Sequence, residues 1–207
     1  MKTSIITLAV FTAVTLFVSC EKDDLNFDPD KTVHGTGDVV TKRMTLDSFN
    51  EVHLKGVSNV YITLSNEQST VLKAQQNIMD VMTWEVVANR LVIGLKENTS
   101  ISNTEEIRFE IEIPELTRVI HEGVGDFSLA GDYLMSLDIE YDGVGNIYSY
   151  DLPVYECSII SSGVGDCKLK IFDYLDVYLS GTGSVYYKGN PEIDSAVIGI
   201  GKLINDN

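Results

Sequence analysis

Apolar positions in the C-terminal half of the chain keep phase with a glycine phrase rather than with a helical turn. The phrase occurs five times, as Gly123-Val124-Gly125-Asp126, Gly143-Val144-Gly145-Asn146, Gly163-Val164-Gly165-Asp166, Gly181-Thr182-Gly183-Ser184 and Gly199-Ile200-Gly201-Lys202. Six and four residues before its first glycine stand Thr117 and Val119, Leu137 and Ile139, Cys157 and Ile159, Leu175 and Val177, and Ile193 and Ser195. Four residues after it stand Phe127, Ile147, Cys167, Val185 and Leu203. The column between the first two is polar: Arg118, Asp138, Ser158, Asp176 and Asp194. An apolar, polar, apolar order is the period of a strand with one buried face, so each copy reads as strand, glycine bend, strand. The first glycines are 20, 20, 18 and 18 residues apart. A near-fixed period of this size predicts stacked repeats, because one such unit cannot bury its apolar face alone.

The pattern begins earlier and is then interrupted. Gly35-Thr36-Gly37-Asp38 and Gly56-Val57-Ser58-Asn59 read as two further bends, the second flanked by Val52, Leu54, Val60, Ile62 and Leu64. Residues 65–116 follow another plan. A strand is expected over 70–74, a short helix over 76–82, and a hairpin of strands 83–88 and 91–96 with Asn89-Arg90 at its tip. After a polar loop at 97–104, Ile107, Phe109, Ile111 and Ile113 alternate with Arg108, Glu110 and Glu112 in a half-buried strand that Pro114 closes. Val, Ile, Tyr and Thr are frequent throughout, so the expected class is all-β.

The first residues form an address. Lys2 precedes an apolar run from Ile5 to Val18 that is too short for a membrane span, and the run ends at Ser19-Cys20. This resembles a bacterial lipoprotein signal peptide, cleaved before a cysteine that then carries lipid. The expected division is therefore a signal peptide over 1–19, an acidic tether over 20–32 and a folded domain over 33–207. Glu21-Lys22-Asp23-Asp24 resembles a signal for export to the outer face of the outer membrane, with a periplasm-facing position as the alternative. The chain carries 15 Lys and Arg against 31 Asp and Glu, a formal charge of −16. That balance argues against nucleic acid as a direct partner. The membrane is expected as a partner only through lipid on Cys20.

The run Phe49-Asn50-Glu51-Val52-His53-Leu54-Lys55-Gly56-Val57-Ser58-Asn59-Val60, the return Asn89-Arg90-Leu91-Val92-Ile93, the phrase Ile111-Glu112-Ile113-Pro114-Glu115-Leu116 and the Gly-x-Gly-Asp/Asn bends carry a family resemblance. In this order they resemble the head GIN domain of putative autotransporter adhesins. The resemblance implies a right-handed parallel β-helix-like solenoid with a less regular N-terminal half, on a secreted or lipid-anchored protein. An antiparallel β-sandwich is the alternative that the alternating strands leave open.

Candidate chemistry is sparse. His34, His53 and His121 form no metal-ligand phrase, and there is no G-x-S-x-G elbow or phosphate-binding loop. His121-Glu122 is the one adjacent pair that could do acid/base work. Asp126, Asn146 and Asp166 share one bend column, where oxygen ligands for calcium would stack at about one strand spacing. The same residue types also suit turns with no cation. Tyr141, Tyr148, Tyr178 and Tyr186 recur near the bends, and amphipathic rings suit sugar or protein contacts. Cys157 and Cys167 occupy apolar columns and read as buried thiols, a disulfide being the alternative. The expectation is a non-enzymatic, adhesin-like surface module that binds a glycan or protein. A structural envelope component comes second, and a carbohydrate-active β-helix enzyme third.

Overall fold

The structure is a computed structural model that describes residues 32–207. The expected signal peptide, Cys20 and nearly all of the tether lie outside these residues. Strands dominate, and the glycine bends sort them into two rows. The first row runs through β7 (Arg90–Leu95), β3 (Glu51–Leu54), β10 (Arg118–His121), β12 (Leu134–Tyr141), the second halves of β13 (Ile147–Ser161) and β14 (Cys167–Leu179), and β16 (Glu192–Val197). The second row runs through β9 (Arg108–Ile113), β4 (Asn59–Leu64), β11 (Phe127–Ala130), the first halves of β13 and β14, β15 (Val185–Lys188) and β17 (Leu203–Asn205). Every neighbouring pair within these two rows is parallel. The antiparallel sandwich is thereby excluded for the repeats.

Register follows the sequence columns. Val119 pairs with Ile139, Ile139 with Ile159, Ile159 with Val177, and Phe127 with Ile147. Val119, Ile139, Ile159, Val177, Phe127, Ile147, Cys167 and Val185 are all buried, so the predicted apolar face is the interior between the rows. The bends align as well, through bridges Val57 to Val124, Val124 to Val144 and Val144 to Val164. The last copy behaves differently. Ile193 and Val197 are exposed because β16 has a neighbour, β14, on one side only among the described residues. Cys157 and Cys167 are free and buried, so the disulfide alternative is not realised. Burial pushes the Cys157 thiol up to about 12.

The excursion at 65–116 makes the sheet mixed. β2 (Val39–Met44) and β5 (Ser69–Gln75) run antiparallel to each other, and β5 runs antiparallel to β9. β6 (Met82–Val87) runs antiparallel to β7. A separate parallel pair joins β1 (Thr32–His34) to β8 (Ser100–Ser102). The chain is thus a curled, open mixed sheet, not a wholly parallel β-helix. The excursion returns β7 beside β3 and β9 beside β4, which lets Gly56 and Gly123 meet as consecutive bends although they are far apart in sequence.

Three local expectations change. Gly35-Thr36-Gly37-Asp38 is no member of the bend column, which starts at Val57; Gly35 packs against Gln75, Asn103 and Thr104 instead. The hairpin tip is Ala88-Asn89, one residue earlier than read, and both residues have positive φ (50° and 66°), as a two-residue turn matched to strand twist requires. The helix is one turn, α1 (Gln76–Met79), with no side-chain cap at Gln75. An isolated turn of this length has little helical stability of its own, and burial of Ile78 and Met79 holds it in place.

Candidate binding surface

The bends create the scaffold for everything outside it. At the fourth position of each, a side-chain oxygen accepts the backbone N–H of the equivalent residue in the next bend. Asp126 N–H donates to Asn59 Oδ1 at 2.9 Å, Asn146 N–H to Asp126 Oδ1 at 2.7 Å, Asp166 N–H to Asn146 Oδ1 at 3.0 Å, and Ser184 N–H to Asp166 Oδ1 at 2.9 Å. Lys202 N–H donates to Ser184 Oγ at 3.2 Å, which closes the chain of bonds. The recurrence of Asp, Asn and Ser in this column, read above as a candidate calcium ladder, therefore has a backbone-capping role. Among the described residues no group of three His, Cys, Asp or Glu side chains gathers as a metal site.

Inside the bends sit two polar rings and, one strand on, the Ser161 hydroxyl. His121 and Tyr141 occupy paired positions of β10 and β12. His121 Nε2 lies 2.6 Å from Gly125 O, and Tyr141 O–H donates to Gly145 O at 2.5 Å. A carbonyl only accepts, so Nε2 carries the proton and Nδ1 is left bare, with no partner among the described residues. The ring packs against Phe127 and Tyr141, with centroids 5.3 and 5.2 Å away. Burial holds the His121 pKa below its ordinary value. This corrects two expectations. Tyr141, 1% exposed, is an internal clamp and not a ligand contact. His121 and Glu122 do not form a pair, because strand neighbours point to opposite faces.

Glu122 points outward, where its Oε2 lies 3.0 Å from His53 Nε2, though that contact lacks hydrogen-bond alignment. His53 also sits below its ordinary pKa, chiefly through burial, with Glu122 opposing the shift. Since His121 and His53 bind protons more weakly folded than unfolded, their contribution to stability is fully present above about pH 6.5 and is lost as pH falls from there through their lower folded values. Denaturant titrations are expected to show a lower midpoint at pH 5 than at pH 7.5. His121→Leu, which copies Leu54 and Leu179 of the same column, should shrink that gap.

The two outer faces differ in character. Outside the first row lie Asp138, Glu140, Asp142 and Asp176, with Arg118 held by Asp138 at 2.9 Å and by Glu140 at 3.5 Å. Tyr178, 44% exposed, stands on this acidic face. Outside the second row, Tyr148, Lys168 and Tyr186 lie in register on consecutive strands. Tyr148 is exposed and Tyr186 half-buried. Lys168 Nζ lies 5.7 Å from the Tyr148 ring centre and 5.9 Å from that of Tyr186, while Lys188 Nζ stands 4.4 Å over Tyr150. At the corner away from the bends, Tyr133, Tyr155 and Phe172 form an exposed edge-to-face chain with centroids 5.9 and 5.5 Å apart. Lys170 reaches the Phe172 ring at 5.7 Å, so this ridge adjoins the lysine face. The sequence columns missed the ridge because its residues lie farthest from the aligned glycines, where register slips around Ser149 to Glu156.

A family model described as putative auto-transporter adhesin, head GIN domain, matches residues 48–135 and 119–191. The chain belongs to the head GIN domain family. Among solved structures, a putative adhesin from Bacteroides fragilis is similar with a TM-score of 0.65 at 23% identity, covering 84% of this chain and 99% of its own. A putative adhesin from Parabacteroides merdae aligns at 17% identity over 84% of this chain and 100% of its own, with a TM-score of 0.39. A protein from Parabacteroides distasonis described as a putative lipid binding protein aligns at 16% identity over the same shares, also at 0.39. The first of these shares the GIN-domain fold. No curated protein matches the chain. Among the described residues no helix is long and apolar enough to cross a membrane.

Proposed function

We propose that this GIN-domain protein is a lipid-anchored binding module of the bacterial cell surface, adhesin-like and without catalytic activity. The observation that carries the reading is a family match spanning both rows, on a scaffold whose exposed side chains, among the described residues, form a tyrosine and lysine face and not a convergent set of nucleophile, base and oxyanion donors. The in-register parallel pairs support treating the bends and rows as coils of a solenoid, a rigid support for a surface that must hold its shape. The leader with Ser19-Cys20 supplies the anchor, and the acidic residues behind it supply the tether and favour the outer face of the outer membrane.

Two measurements test the reading. Wild-type chain is expected in the membrane fraction of cells, and Cys20→Ala in the soluble export fraction; an unchanged membrane yield would refute the lipid anchor. Cells displaying the wild-type chain should adhere to host-glycoprotein or glycan-coated surfaces more than cells with the gene deleted. Equal adherence on every surface, or turnover of a bound glycan, would refute the binding-module reading.

A further inference from the structure

We infer that the outer face of the second row binds an acidic polysaccharide, with tyrosine rings against the sugar C–H faces and Lys168, Lys170 and Lys188 against its carboxylate or sulfate groups. This deepens the surface-binding reading above and rests on it. Among the described residues the ion pairs use His53, Lys73, Arg90, Arg108 and Arg118 as cations, and none of these three lysines. Lys42, Arg43, Lys55, Lys96 and Lys202 also lack an ion pair among the described residues, but Lys168, Lys170 and Lys188 are set apart by clustering on one face beside four aromatic rings. Each of the three is poised over an aromatic ring. A cation left without a carboxylate in a protein of charge −16 is an available electrostatic contact.

The aromatic spacing suits a chain ligand. Tyr148 and Tyr186 stand two strands apart with Lys168 between them, so the rings are separated by roughly 10 Å along the row. An extended disaccharide has a repeat of that order, which would place alternate sugars on rings and an intervening anionic group on Lys168. Rings that offer apolar faces, beside ammonium groups that offer charge-assisted hydrogen bonds, match a uronate or sulfated sugar in both of its chemistries. Neighbouring charge decides against a broad anionic partner. Asp126 and Asp166 border the face on the bend side, with one oxygen each turned to a backbone N–H, and Asp206 stands at its far end bonded to Tyr150 O–H at 2.6 Å. A thin polysaccharide can follow the strip between these carboxylates. A bilayer or a duplex would meet them, and the acidic outer face of the first row confines a thin polyanion to the lysine side.

The test uses the full chain and measures binding of polygalacturonate and dextran sulfate, with neutral dextran as the uncharged control. Binding of at least one acidic polymer is expected, weakening as salt rises, with neutral dextran much weaker. Lys168→Glu/Lys188→Glu should weaken it by about tenfold or more, and Tyr148→Ala by several-fold, while Glu140→Lys on the opposite face should not weaken it. If the charge reversal unfolds the chain, Lys168→Gln/Lys188→Gln serves in its place. The inference is overturned if no acidic polymer binds, if the lysine variants bind as well as wild type, or if phosphatidylserine vesicles or duplex DNA bind in preference. Should displaying cells still adhere in any of those cases, the surface-binding reading survives and only this site is lost.

Discussion

Gly165→Ala is expected to lower the melting temperature by about 10 °C, from a loss of roughly 3 kcal/mol or more. Two causes act together at this position. Its φ of +132° lies where L side chains are rarely found, and an added Cβ would fall inside van der Waals contact with Gly145 O in the preceding bend. That oxygen is backbone held between coils, so it cannot swing aside as the tip of a flexible side chain could. Gly37→Ala provides the control. It has φ +78° with nothing within 4 Å of the new methyl, so only the backbone term applies, about 1 kcal/mol. Thermal melts of the two variants separate the contributions. Equal losses would mean that close approach of the bends does not limit stability.

Leu175→Ala is expected to cost about 2 to 5 kcal/mol, and Ile193→Ala less than about 1. The two residues stand at the same place in consecutive repeats and pair directly across β14 and β16. Leu175 is fully buried, whereas Ile193 is 37% exposed, since no strand lies beyond it among the described residues. Truncating Leu175 leaves a cavity between neighbours fixed by two rows of backbone hydrogen bonds, and the site cannot collapse to fill it. Truncating Ile193 trims a side chain already in contact with water. Denaturant unfolding of both variants measures the difference, and a matching loss at Ile193 would show that its methyls are covered in solution.

How far the sequence could be read depended on whether a residue kept phase with a bend. Ile139, Ile159, Phe127 and Ile147 keep phase, and their burial follows from counting out from the glycines. Tyr141 keeps phase too. It lies two residues before Gly143, on the same side of the strand as Leu137 and Ile139, so its interior position was legible although proximity to a bend had suggested exposure. Gly35-Thr36-Gly37-Asp38 shows the reverse error. It has the phrase but not the apolar pair six and four residues ahead, where Pro29 and Lys31 stand. The pairings of β9 with β4 and of β7 with β3 were not legible, because they join segments about 40 to 50 residues apart that no local period connects. The hairpin tip was hidden for another reason: Ala88 adopts a positive φ that its side chain does not favour, so the strands on either side select the turn. Of the candidate tyrosines, Tyr148 and Tyr186 come together with Lys168, while Tyr178 stands alone on the acidic face. That separation follows from which strand face each occupies, and the lysines between the rings became visible only once neighbouring strands were in register.

The bond from each bend's side-chain oxygen to the next bend's N–H gives the chain a grammar for changing length. From Asn59 to Ser184 donor and acceptor are presented on the same residue, so these bends can follow one another in any order, while Lys202, with no side-chain acceptor, can only end the series. Loss of a whole repeat between Asp126 and Asp166 would let Asp166 N–H meet Asp126 Oδ1 as Asn146 N–H does now, with the apolar columns still turned inward. Loss of an odd number of residues from within a strand would instead send those columns to solvent. Descendants of this sequence can therefore grow or shorten by complete coils, and the tyrosine and lysine strip would lengthen or contract with them in steps of about 4.8 Å.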